Sequence, residues 1–169
     1  MRNSKIFLGF VLALLMAIMQ SAFFPGMHLF AFAPFLALLC IYVSFCPALW
    51  IAALTGTCSD FLVSDPAGIY ALHYTLLCAI FFRWRLYFKE HPLQLPLFSA
   101  LISFFALPLE VAILFIFSQG VERVPLFDLF MGPLIDGAYA FFWFVGPLAL
   151  LEWAGNQWKL WKMKHQLDH

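Results

Sequence analysis

Charge is scarce in this sequence. Asp, Glu, Lys and Arg supply 11% of its 169 residues while 64% are hydrophobic, against about 25% charged in an ordinary water-soluble domain. The deficit excludes a soluble globular domain. Nine acids and nine bases cancel to a formal net charge of zero, which removes the electrostatic basis for nucleic-acid binding. The apolar/polar alternation of a transmembrane β-barrel is also missing. Hydrophobic runs continue from Ile6 to Trp153, so helices are the expected element and there is no room for a separate soluble domain.

Catalytic and metal signatures are lacking too. Cys40, Cys46, Cys58 and Cys78 lie inside apolar runs without C-x-x-C spacing, and they read as small embedded residues rather than a disulfide or metal framework. No phosphate-cradling glycine loop or H-E-x-x-H pair occurs, and Ser59 beside Asp60 has neither a G-x-S-G context nor a base. The expectation is a protein with no enzymatic activity, cofactor or metal.

What is present is a series of apolar runs, giving an all-α, polytopic membrane bundle of six helices over residues 1–169. The spans fall at about residues 6–24, 29–45, 47–63, 69–88, 93–118 and 125–153, with a basic tail at 154–169. Gln20 and Ser21 before Ala22 make a poor cleavage site, so the first run reads as a retained helix. Residues 29–63 cannot form one helix, because about 50 Å of helix would face a hydrocarbon core of about 30 Å. A tight turn is expected at Cys46-Pro47, with proline at a helix start. Pro96 and Pro108 predict a tilted or kinked fifth span.

Six spans with the N-terminus inside place Arg2, Lys5, Arg83, Arg85, Lys89, Lys159, Lys162 and Lys164 on the cytoplasmic side and only Arg123 outside. The positive-inside rule therefore favours both termini in the cytoplasm. Trp158 and Trp161 among the tail lysines read as an interfacial anchor, or as an arm for a cytoplasmic partner.

The stretch Ala48 to Gly68 is the most informative. Ala48, Ala52, Gly56 and Asp60 recur every four residues, so small side chains and a carboxylate share one helical stripe. That stripe lets a second helix approach closely and turns the acid toward protein. Gly9, Ala13, Ala17 and Ser21 form a similar stripe in the first run. Carboxylates are costly in a bilayer, about 2.5 to 3.5 kcal/mol on insertion scales. By the same topology Asp60, Glu110 and Asp136 gather toward the outer half on three helices. Together with His73 they either line a cavity for a polar ligand or cation, or serve the fold by capping helix ends and bonding to backbone.

Gly56-x-x-x-Asp60 followed by Pro66-Ala67-Gly68 and Ala71-Leu72 resembles the central motif of the rod shape-determining MreD family, and Phe32-Ala33-Pro34 is similar to its aromatic-x-proline start of the second span. The resemblance covers nearly the whole chain. It implies a multipass component of the bacterial inner membrane that scaffolds cell elongation with MreC, the actin-like MreB and the peptidoglycan synthases. Gly56, Asp60, Pro66 and Gly68 then become motif and helix-packing positions, and His73, Glu110 and Asp136 candidate intramembrane polar positions. The chain departs from that pattern in its 22 phenylalanines and in an aspartate at 136. A rival of similar size, span number and fold is the substrate-binding S component of an energy-coupling-factor vitamin transporter, whose ligand the outer acids would line.

Overall fold

The computed structural model describes residues 2–23, 30–62, 68–88, 94–117, 126–148 and 153. These form six α-helices, with no strand among the described residues: α1 (Arg2–Phe23), α2 (Ala33–Tyr42), α3 (Phe45–Leu62), α4 (Ile69–Phe81), α5 (Gln94–Ile116) and α6 (Leu126–Tyr139). A 3-10 turn, Phe82–Tyr87, extends α4, and a π-helical stretch, Ala140–Val145, extends α6. Two helices, α3 and α5, are long and apolar enough to cross a membrane. Pro66 and the tail at 154–169 lie outside the described residues.

The organising element is α2. It packs against α1, α3, α4, α5 and the π-helical stretch, and every residue from Ala31 to Cys40 is buried. Its sequence, APFLALLCIY, contains no charged residue, so no face of it favours water. The helix is shorter than the run at 29–45 suggested: ten residues, or about 15 Å. Pro34 stands in its first turn, where the missing N–H removes one of the donors a buried helix start must otherwise satisfy.

The break between α2 and α3 falls at Val43, which is extended, and not at Cys46-Pro47. Pro47 is already the third residue of α3, and proline fits a first turn without losing a helix bond. Pro108 sits inside α5 without ending it. The last run is not uniformly α-helical: from Ala140 it widens into the π form, which turns Ala140 and Phe144 fully inward and lets Trp143 Nε1 donate to the Leu12 carbonyl of α1 at 3.3 Å.

Small residues set the helix spacings. Along α3, Ala48 and Ala52 are fully buried, Gly56 is buried and Asp60 is 8% exposed. A Cβ at Gly56 would stand 2.4 Å from both Ala71 Cα and the Tyr70 carbonyl oxygen, so α3 and the first turn of α4 meet backbone to backbone. A Cβ at Gly9 would stand 2.6 Å from Leu38 Cδ1, joining α1 to α2, and one at Gly137 would lie 3.1 Å from Ala100 Cβ, joining α6 to α5. Outside these seams the helices present apolar side chains outward: Phe7, Leu15 and Ile18 on α1, Trp50, Leu54 and Phe61 on α3, Phe115 and Ile116 on α5.

Candidate functional site

The buried polar residues form a ladder with α5 as its rail. Ser103, Ala106 and Glu110 occur at i, i+3 and i+7, one face of a helix, and each meets a different partner. The Ser103 hydroxyl donates to Asp136 Oδ2 of α6. The Ala106 carbonyl accepts from His73 Nε2 of α4 at 3.0 Å. Glu110 Oε1 accepts from the Tyr70 hydroxyl of α4 at 3.2 Å.

Asp60 closes the ladder on the α3 side. Its Oδ2 accepts the Gly68 N–H and its Oδ1 the Tyr70 N–H, both at 2.9 Å. Gly68 is the N-cap of α4 and has no side chain to offer, so a carboxylate from the preceding helix satisfies the open donors. It also sets negative charge at the positive end of the helix dipole. Gly68 has φ 102°, a left-handed conformation that costs other residues about 1 to 3 kcal/mol. Thermal unfolding in detergent should therefore show Gly68→Ala destabilised by that amount and Gly68→Asn by clearly less, since asparagine tolerates the left-handed region.

Asp136 does the same for α2. Its Oδ1 accepts the Phe30 N–H at 3.1 Å, just before the first turn of α2, and Tyr139, one turn along α6, donates to the Ala31 carbonyl at 3.2 Å. At the other end of α2, Arg85 Nη1 donates to the Val43 carbonyl at 3.2 Å while its guanidinium lies over the Phe82 ring, and Lys5 Nζ sits 5.1 Å from the centre of the Tyr42 ring. Helix α2, which has no charge of its own, is held by an acid at its start and cations at its finish, as its dipole favours. Asp136→Leu should cost about 3 kcal/mol in equilibrium unfolding, because Phe30 N–H and the Ser103 hydroxyl would be buried without a partner. Asp136→Asn, which can still accept one bond and donate the other, should cost less than half of that.

His73 lies between the two aspartates. Because a carbonyl only accepts, its bond to Ala106 puts the ring proton on Nε2. Its ring stacks on Phe30 with centroids 5.9 Å apart and planes at 17°. Tyr70 and Tyr74 pack beside it. Ser59, whose hydroxyl lies 3.2 Å from the Thr55 carbonyl and 3.1 Å from the Tyr74 hydroxyl, can only donate to the former, so Tyr74 donates to Ser59.

All the described candidates, Gly56, Asp60, Gly68, His73, Glu110 and Asp136, therefore sit in or beside one connected region. Asp60 and Glu110 share Tyr70, while Asp136 belongs to a second cluster with Phe30, Ser103 and Tyr139. Four of these partners, Tyr70, Tyr74, Ser103 and Tyr139, were not singled out by sequence reasoning. Spacing carried a signal for two of them: Tyr139 is three residues after Asp136 and Ser103 is two turns before Glu110. The described cavity of about 430 Å³ lies elsewhere, between α1 and α3, and is walled mainly by apolar residues. No group of three or more metal-ligating residues occurs among the described residues. No family model, curated protein or solved structure matches this chain.

Proposed function

We propose that this protein is a six-span inner-membrane scaffold of the bacterial cell-elongation machinery, similar to MreD, with both termini cytoplasmic. In this role it positions MreC, MreB and peptidoglycan synthases and performs no chemistry of its own. The observation that carries the reading is the use of its intramembrane acids. Asp60 and Asp136 accept backbone N–H groups at the starts of other helices, and Glu110 accepts a tyrosine hydroxyl. Acids committed in this way make a fixed bundle whose outer, apolar faces are available to partner helices.

Helix lengths support the topology. The π-extended α6 runs to residue 148, and α4 with its 3-10 turn covers 69–87; each reaches about 30 Å, the thickness of a hydrocarbon core. Among the described helices α3, with 18 residues, comes to about 27 Å, and α2 alone falls far short, at about 15 Å, sheathed by the other helices. Lys5 and Arg85 meet the same end of α2, as a cytoplasmic cluster of positive charge requires.

The test is mild cross-linking in native membranes, recovery through a C-terminal tag and mass spectrometry of what accompanies the protein. Recovery of MreC, MreB or a peptidoglycan transpeptidase is expected. Recovery of paired ATPases with a membrane coupling subunit would overturn the reading in favour of the vitamin-transporter S component.

A further inference from the structure

Helices α2 and α4 bring together two thiols that serve none of the contacts described above. Cys40 Sγ lies 3.8 Å from Cys78 Sγ and 3.9 Å from the Cys78 carbonyl oxygen. A separation of 38 residues hides the pair in the sequence. Both thiols are enclosed, at 0% and 1% exposure, whereas Cys46 and Cys58 are exposed. Another protein's sulfur therefore cannot line up on the pair for thiol–disulfide exchange. A small neutral oxidant has only one helical turn to cross, because Ser44, four residues after Cys40, is exposed. A cation stands at the same end. Arg85 donates to the carbonyl of Val43, three residues after Cys40, and positive charge favours the thiolate, the form that reacts.

We infer that Cys40 and Cys78 are a redox modification site, closed by hydrogen peroxide into a disulfide that ties α2 to α4. The thiolate of one attacks a peroxide oxygen; the S–O bond forms, the O–O bond breaks, and the departing hydroxide takes the thiol's proton to leave as water. The second thiol then displaces the sulfenic hydroxyl, so that the S–S bond forms, the S–O bond breaks and a second water leaves. Two thiols lose two electrons and one peroxide becomes two waters. Proximity decides which partner resolves the sulfenic acid. Closing from 3.8 Å to a bond of about 2 Å is within the reach of side-chain rotation, so the resolving thiol is in contact from the start. In the orientation proposed above this end of α2 faces a reducing cytoplasm, where the dithiol is the resting form. The chemistry is independent of which proteins the scaffold joins.

The experiment treats the full chain in phospholipid vesicles with hydrogen peroxide, denatures it with a maleimide that caps the remaining thiols, and maps the cysteines by mass spectrometry. A cross-link between the Cys40 and Cys78 peptides should exceed any pairing with Cys46 or Cys58 several-fold. Cys40→Ala and Cys78→Ala should each abolish it and leave the partner as a sulfenic or sulfinic acid. Peroxide added after denaturation should scatter the pairings among all four cysteines. The oxidised wild-type protein should unfold several degrees above its dithiothreitol-reduced form, because the bond joins the central helix to α4. The site is overturned if Cys46 and Cys58 oxidise while Cys40 and Cys78 stay thiols, or if folded and denatured chains give the same pairings. Neither result touches the scaffold reading, since the vesicles contain no partner protein.

Discussion

Gly56→Ala should be the most damaging single-methyl change in the protein, lowering stability by about 3 kcal/mol in reversible unfolding from mixed micelles. Overpacking a well-filled core usually costs about 1 to 3 kcal/mol because side chains move aside. Here the obstacles are Ala71 Cα and the Tyr70 carbonyl, each 2.4 Å from the added carbon. Backbone has no rotamer to change. The start of α4 must therefore retreat from α3, and that motion also lengthens the two bonds from Gly68 and Tyr70 to Asp60. The contrasting control is Gly9→Ala, where the blocking atom is the tip of the Leu38 side chain; it should cost about 1 kcal/mol or less. Equal losses at the two positions would refute the distinction.

Asp60→Ala should rank next. Two N–H groups lose their acceptor in surroundings without competing water, at about 1 to 3 kcal/mol each, so a loss of about 3 kcal/mol is expected. Asp60→Asn keeps one acceptor and turns an N–H₂ group toward the other donor, and should fall between. The effect should be local first: hydrogen exchange ought to accelerate at the amides of Gly68 and Tyr70 before the rest of α4. Uniform acceleration through the bundle would mean that Asp60 acts by some route other than capping. Because Tyr70 also donates to Glu110, Asp60→Ala combined with Glu110→Ala should cost less than the sum of the two.

How legible this was in the sequence differs from feature to feature. The α3 stripe could be read because a spacing of four marks one helical face and glycine marks a close approach, whatever surrounds it. The acids themselves stood out because carboxylates are rare in apolar runs. Their partners did not, since Gly68 and Phe30 offer backbone N–H groups that no side chain announces. Nor was the central position of α2 visible. A helix apolar on every side looks the same in sequence whether lipid or protein surrounds it, and its ten residues merge with flanking apolar ones into what reads as a full span. The turn before α3 was placed three residues late because proline marks the first turn of a helix as readily as its boundary.

The clasp on α2 has a consequence for how the protein is made. Phe30 and Asp136 are 106 residues apart, and Ala31 and Tyr139 are 108 apart, so α2 leaves the ribosome long before α6, the helix that completes it. Until α6 arrives, the turn before α2 carries donors and acceptors without their final partners. The native centre cannot close before α6 has been made. A nascent chain stalled after α5 would expose an unfastened core to quality-control proteases.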